Sequence, residues 1–276
     1  MRKDTINQSI DYILQHLSEN LSVKEVADHF HFSEFYFSRV FKSETGESVY
    51  AFIKRLKMDQ SAIDMILKTS KSITEIGLDY GYSPSNYSSA FKKHHAVSPV
   101  QFRKSVNSEC VVNPFQPEKN DIFKTYDDYA AQIEIKEIED IPVVYERTIG
   151  DYCQLKEKWI SFMEAYPDLF HPGTFMIERF YDDPSITSLT NCICDLCISV
   201  DKNKVQENMT TIKGGRFAVY PFYGQISDIF YSLQGVFRVW LPKSNYKMDE
   251  RYGFNIYKRM DLAKDFVVMD LYIPIK

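Results

Sequence analysis

Across 276 residues there is no run of 18 apolar positions of the kind that spans a bilayer, and no charged-then-apolar leader opens the chain. A cytoplasmic protein with no membrane partner is therefore expected. Cysteine is scarce, and five residues fit a reducing compartment. Three of them stand together in Cys192-Ile193-Cys194-Asp195-Leu196-Cys197, but no second Cys pair or His-rich stretch lies nearby. In a β-type run Cys192 and Cys194 face one way and Cys197 the other, so burial is expected there, and no metal site or cofactor is expected anywhere. A strong excess of positive charge is also missing. Residues 1–108 hold 14 Lys and Arg against 12 Asp and Glu, a balance of +2, and the remaining 168 hold 19 against 26, a balance of −7. Any affinity of the first part for phosphate must come from local clustering.

What the chain does contain is one pattern of about 30 residues written twice, 50 positions apart and without a gap. Glu25 meets Glu75, Ser33 meets Ser83, Phe41-Lys42 meets Phe91-Lys92, and Phe52 meets Phe102. Val26 and Ile76, Phe30 and Tyr80, and Phe37 and Tyr87 are close substitutes. Ser22-Val-Lys-Glu25 and Ser72-Ile-Thr-Glu75 are both capping boxes, so each copy starts a helix at the same place. His31 and Gly81 fall at a turn suited to left-handed backbone, and Ser33 and Ser83 then cap a second helix, with Pro84 in its first turn. Ile6, Ile10, Ile13, Leu14 and Leu17 recur at helical spacing and open the chain with an amphipathic helix. Ser48 to about Lys68 reads as one helix with Phe52, Ile53, Leu56, Ile63, Ile66 and Leu67 on its apolar face. Its length of ~30 Å is close to the ~34–36 Å between successive major-groove faces of B-DNA. One chain can thus present two reading helices to one side of a duplex.

The stretch from Leu21 to Lys104 resembles the AraC/XylS-type transcriptional regulators. The first copy carries the resemblance through Phe37-Ser-Arg-Val-Phe-Lys42 and Gly46-Glu-Ser48, and the second through Ile73-Thr-Glu-Ile-Gly77, Gly81-Tyr82, Phe91-Lys92-Lys93 and Val97-Ser-Pro99. The resemblance implies double-stranded promoter DNA as a partner, with RNA polymerase as a further one. It implies base contacts from Phe35, Ser38 and Arg39 in the first copy and from Ser85, Asn86, Ser88 and Ser89 in the second, with Arg39 suited to bidentate contact with guanine. Lys42, Lys57, Lys92, Lys93 and Arg103 are then read as phosphate contacts. Ser89 stands where the first copy has Arg39, so the first helix is expected to carry more discrimination. His94, His95 and Ala96 replace the aromatic and Gly that are usual in the family. The competing reading of each exposed serine is a solvated helix face.

Residues 109–129, with Pro114, Pro117, Asn120 and Asp121, lose periodicity and read as a linker between a DNA-binding domain at 1–108 and a second domain at 130–276. A second duplication follows. Strand-like Val143 to Ile149 leads through Gly150 to a helix from Tyr152 to about Ala165, and strand-like Phe217 to Tyr223 leads through Gly224 to a helix ending near Val239. Asp195-Leu-Cys-Ile198 and Asp270-Leu-Tyr-Ile273 align at a displacement of 75. The fold class expected is multidomain: an all-α tandem helix-turn-helix domain followed by a duplicated α+β domain with an antiparallel sheet and a ligand cleft at its pseudo-twofold seam.

This second part resembles the gyrase-inhibitor-like (GyrI-like) effector-binding domains, through Ile141-Pro-Val-Val-Tyr145, Tyr181-Asp-Asp-Pro184, Gly214-Gly-Arg-Phe-Ala-Val-Tyr220, Trp240-Leu-Pro-Lys-Ser244 and Tyr272-Ile-Pro-Ile275. The resemblance implies an aromatic small-molecule effector, often cationic, in a cleft with a Glu on the strand that here reads Phe254-Asn255-Ile256-Tyr257. Asn255 replaces that Glu, so cation preference would need another acid, with Glu178 and Glu146 as candidates. The cleft is expected to draw on Tyr152, Glu178, Tyr220, Phe222, Trp240, Asn255 and Tyr257, and core packing is the competing reading for Tyr152, Tyr220, Phe222 and Trp240. Catalysis, as in relatives that use a Tyr and that Glu, loses its general base with Asn255, so no enzyme is expected. A protein-interaction module remains the third alternative.

Overall fold

A computed structural model describes residues 3–106, 111–118, 122–150, 152–201, 207–261 and 263–276. The chain separates into two compact units, residues 1–108 and 109–276. Among the described residues no helix is long and apolar enough to cross a membrane.

The first unit is helical: α1 Lys3–Gln15, α2 Val23–His29, α3 Glu34–Thr45, α4 Val49–Leu67, α5 Ile73–Asp79, α6 Pro84–His95 and α7 Pro99–Val106. The displacement of 50 holds for both ends of the paired helices α2/α5 and α3/α6. Both capping boxes form. Ser22 N donates to Glu25 at 2.7 Å and Ser72 N to Glu75 at 2.7 Å, while each serine hydroxyl accepts the returning amide. His31 and Gly81 both take positive φ, 60° and 79°, and so make the tight turn between paired helices. Ser33 accepts from Tyr36 N, whereas the Ser83 hydroxyl makes no capping bond. Pro84 lacks an N–H and so leaves one amide fewer to satisfy at that helix start.

Phe37 and Phe41 in one copy and Tyr87 and Phe91 in the other pack inward and are fully or almost fully buried. Gly77 permits the second copy's packing, because a Cβ there would lie 2.8 Å from the Tyr87 ring. The Tyr87 hydroxyl reaches Ser61 at 2.9 Å. The helix expected from Ser48 to Lys68 is α4, capped by those two residues. It is more than a spacer with one apolar face: Arg55, Lys57, Asp59, Ser61 and Asp64 are buried along with Phe52, Ile53 and Leu56, because helices pack around it.

Among the described residues the second unit holds α8 Tyr126–Ala130, α9 Leu155–Ala165, α10 Ile229–Gly235 and eight strands: β1 Glu134–Ile138, β2 Ile141–Ile149, β3 Met176–Phe180, β4 Ile193–Ser199, β5 Met209–Ile212, β6 Gly215–Gln225, β7 Phe254–Asp261 and β8 Phe266–Pro274. They form one sheet of order β1-β6-β8-β7-β3-β4-β2-β5, antiparallel at every pairing. The duplicated units are β2-α9-β3-β4 and β6-α10-β7-β8, and they meet where β3 pairs with β7. The helices start later than the sequence implies. A single 3-10 turn, Tyr152–Gln154, precedes α9, and β6 runs through Gly224 before a 3-10 turn leads into α10 and a π-turn at Val236–Trp240.

One sheet face carries the buried cluster of Val143, Tyr145, Ile177, Cys197, Phe217, Val219, Phe254, Ile256 and Tyr272. The other packs Val144, Leu196 and Ile198 beneath Trp159 and Phe162 of α9. Cys192, Cys194 and Cys197 are all buried, and burial pushes the thiols of Cys194 and Cys197 up, away from the reactive thiolate. Asp195 clamps β2, β3 and β4, accepting from Arg147 at 2.8 Å, Arg179 at 2.6 Å and Tyr181 at 2.7 Å. Burial opposes its charge, yet the two guanidiniums and the phenol hold its carboxyl down at about 2.

The segment read as a linker is a correction. In its described part, Asn113 is buried and accepts from Phe115 N, Phe115 packs on Phe230, Phe123 on Tyr231, and Tyr129 of α8 on Tyr220. Its prolines suggested extended chain, but its aromatic rings have apolar surface to cover and find it in the second unit. Asn120 and Asp121 lie outside the described residues.

Candidate functional site

In the first unit, α3 turns Phe37 and Phe41 inward and so presents the opposite face. Phe35 is 80% exposed, Arg39 and Lys42 are exposed, and Ser38 is half-buried beside them. Positions 35, 39 and 42 follow helical spacing along one stripe. The Arg39 guanidinium lies 5.6 Å from the centre of the Tyr36 ring, which holds the long side chain extended on the surface. On α6 the equivalent surface is made of Ser85, Asn86, Ser88 and Ser89, with Lys92 and Lys93 one turn further on, all exposed. Its last turn gathers Lys92, Lys93, His94 and His95, where positive charge complements the helix dipole.

Two residues expected at phosphates are turned inward. Lys57 is 7% exposed, and its ammonium donates to the carbonyls of Glu19 at 2.8 Å and Tyr80 at 3.1 Å. It therefore ties the segment ahead of α2 to the end of α5, and burial lowers its pKa. Arg103 donates to the Lys71 carbonyl at 2.7 Å, with its Nε and Nη2 buried. Both were expected at phosphates from the resemblance and from their charge. What packs around them decides this: Lys57 lies among buried Leu56, Met58 and Ser61 of α4, and Arg103 is half-buried on α7.

In the second unit, strand register assembles a row across the sheet. Glu146 pairs with Leu196, Leu196 with Glu178, Glu178 with Asn255, Asn255 with Leu271, and Leu271 with Tyr220. Directly paired residues of antiparallel strands share a face, so all six side chains lie on the same side. Glu178 and Asn255 sit at its centre, each the pseudo-twofold counterpart of the other. Glu178 thus places a carboxylate directly opposite Asn255 on the neighbouring strand.

Glu178 is 4% exposed. Tyr152 donates to its Oε1 at 2.9 Å, Tyr257 donates to its Oε2, and the Asn255 side chain also hydrogen-bonds it. Burial nonetheless raises the Glu178 pKa above the ordinary carboxylate range, against the lowering effect of those three donors. The phenols of Tyr152 and Tyr257 are pushed up by burial and by the neighbouring carboxylate, so both remain protonated donors. The Asn255 Oδ1 is buried without a hydrogen-bond partner.

Of the expected cleft residues, Tyr152, Glu178, Asn255 and Tyr257 come together. Phe222 shares a sheet row with Tyr257, two strands away through Met269. Tyr220 is buried against Tyr129, and Trp240 is buried and stacked on Tyr246, so neither joins the cluster around Glu178. Glu146 lies two strands from Glu178, ~10 Å by strand spacing, and does not take its place. Two aromatic neighbours escaped the sequence reading: Phe115, 6.2 Å from the Tyr152 ring, and Trp159, 5.7 Å from Tyr257. Phe115 was hidden in the supposed linker. The signal for Trp159 was the apolar stripe of α9, which does not say what lies beneath it.

These two units define a tandem helix-turn-helix module joined to a duplicated α+β module built around a buried acid. Residues 26–105 match the family described as helix-turn-helix domain, and residues 131–276, more than half the chain, match the GyrI-like small molecule binding domain. The chain belongs to the GyrI-like family and carries an AraC-type helix-turn-helix region ahead of that domain. Among curated relatives, the regulatory protein PocR of Salmonella typhimurium is 31% identical over 103 residues, which is 37% of this chain and 34% of PocR. The right origin-binding protein of Escherichia coli is 34% identical over 91 residues, 33% of this chain and 31% of that protein. The chain thus spans about a third of the length of these relatives. The solved structure of the EcmrR C-terminal domain covers 52% of this chain and 97% of its own, at 15% identity and a TM-score of 0.43.

Proposed function

We propose that the protein is a sequence-specific, AraC-type transcription regulator whose second unit binds a cationic aromatic small molecule, with Glu178 reading the charge. The observation that carries the ligand reading is the position of Glu178: a buried carboxylate on a central strand, next to the pseudo-twofold seam, ringed by Tyr152, Tyr257 and Asn255. A cation entering there gains Coulombic attraction in a poorly hydrated site and π-faces for its apolar parts. The DNA reading is supported by two register-matched reading helices with exposed Phe35, Arg39, Lys42, Asn86, Lys92 and Lys93. Phosphates take the lysines, and bases are read by Arg39, Phe35 and Ser38 on α3 and by Ser85, Asn86, Ser88 and Ser89 on α6. Promoter-bound protein also contacts RNA polymerase, and the effector acts by favouring one DNA-binding state over another.

Binding rather than catalysis is favoured because both Glu178 oxygens accept hydrogen bonds from tyrosines whose raised pKa leaves neither as a nucleophile. Selecting genomic fragments with the full chain, with and without cationic aromatic compounds, tests the proposal. It expects one recurrent site and a compound-dependent change in occupancy. Binding to all fragments alike refutes the sequence-specific reading, and a selection unmoved by any compound refutes the effector reading.

A further inference from the structure

Behind the exposed face of α6, its last turn brings His94 and His95 against Asp59 of α4. One potential ligand atom from each lies within 4.8 Å of the others. His94 Nε2 stands 2.7 Å from Asp59 Oδ1. Asp59 is almost completely buried, and its Oδ2 has no hydrogen-bond partner. The nearest cation, Arg55 Nη1, lies 3.6 Å away, but Arg55 is already engaged by Glu47 through its Nε at 2.9 Å and its Nη2 at 2.6 Å. Arg55 is thus shared between Glu47 and Asp59, and the buried Asp59 Oδ2 keeps lone pairs that a further cation could take. Exposed His94 leaves an approach from solvent, and His95 is held beside Phe91, with 4.4 Å between ring centres.

The fold does not require this cluster. At a displacement of 50, the first copy has Ser9, Glu44 and Thr45, whose two hydroxyls bond backbone carbonyls within their own helices. We propose that Asp59, His94 and His95 form a binding site for a divalent transition ion, of which Zn2+ fits the donor set best. Two imidazoles and a carboxylate supply three ligands, and water fills the fourth position of a tetrahedral site. The ion would fasten α6, the second reading helix, to α4, so metal occupancy would bear on how that helix is presented.

The test uses tag-free full-length protein, titrated with Co2+ while its visible d–d absorption is followed and then challenged with Zn2+. One Co2+ per chain is expected, displaced by Zn2+, together with a thermal midpoint raised by Zn2+. His94→Gln and His95→Gln, each shown to be folded by circular dichroism, should weaken Co2+ binding at least tenfold and abolish the thermal shift. Absence of the absorption in the wild-type protein, or wild-type affinity in either variant, overturns the proposal.

Discussion

Replacing Glu178 by Gln tests the ligand reading most directly, because the change removes the charge and little else. Gln has nearly the same shape, and the surrounding phenols can turn to donate or accept, so the packing of β3 against β4 and β7 is kept. For a cation ~4 Å from the carboxylate, a charge–charge interaction at an effective dielectric of 20 amounts to about 4 kcal/mol. Part of this is offset because the ionised acid is itself costly to bury, as its raised pKa shows. A loss of ~2 to 4 kcal/mol is therefore expected, about 30- to 700-fold at 1.4 kcal/mol per decade. Titration by calorimetry or by quenching of Trp159 fluorescence should show this loss for a cationic aromatic compound and little change for a neutral compound of the same shape. The wild-type affinity should also depend on pH with a definite sign. Since the Glu178 pKa is raised, its proton returns at a higher pH than for an ordinary Glu, and cation affinity should fall as pH drops through that raised value. In the ligand-free protein the sign is opposite: the native state gains relative stability as Glu178 is protonated and loses it as pH rises through the raised pKa. Equal weakening for charged and neutral compounds would reduce Glu178 to a shape element. Unchanged cation affinity would refute its role outright.

Arg39→Ala should cost ~1 to 3 kcal/mol of specific DNA binding and erase discrimination at one base pair, as read by competition among single-site variants of a selected fragment; equal weakening on every sequence would make Arg39 a phosphate contact. Lys57→Met should destabilise the first unit by ~2 to 4 kcal/mol in urea unfolding, since two carbonyls lose a charged donor inside the core. A stable variant whose DNA binding instead showed a salt slope reduced by about one would restore Lys57 to the phosphate backbone. Exchanging the central pair, Glu178→Asn together with Asn255→Glu, should recover most of the cation affinity that Glu178→Asn alone loses; a double variant as weak as the single would show that the two positions are not equivalent.

In the first unit most of the architecture was legible because the deciding signals are local. A capping box, a left-handed turn at His31 or Gly81 and an apolar stripe each act within a few residues, and the repeat made every signal available twice. Lys57 and Arg103 were misread for the complementary reason. Whether a basic side chain meets water or a backbone carbonyl depends on what packs over it, and α4 has no solvent side at Lys57. The segment at 109–129 failed in the same way. Its prolines are local signals, whereas the surfaces that take up Phe115, Phe123 and Tyr129 come from β6, α10 and the 3-10 turn at Tyr152, 37 to more than 100 residues further along.

The same distinction explains why the sequence left the charge of the cleft open. Asn255 on its own argues against a cation, and nothing within 70 residues of it corrects that reading. The correction comes from pairing: β3 and β7 place Glu178 opposite Asn255, at the one junction where the two halves of the sheet exchange places under the pseudo-twofold. At such a junction an acid contributed by either half occupies nearly the same space, so its loss from one strand costs little if it is gained on the other. The phenols remain asymmetric, because Tyr257 stands two positions past Asn255 on β7, whereas its pseudo-twofold counterpart two positions past Glu178 on β3 is Phe180, which has no hydroxyl. Tyr152, from the first half, and Tyr257, from the second, can therefore both donate to one carboxylate placed on β3. An acid returned to position 255 would stand directly opposite position 178, at the same central place in the sheet, and this is why the exchanged pair should keep most of the cation affinity.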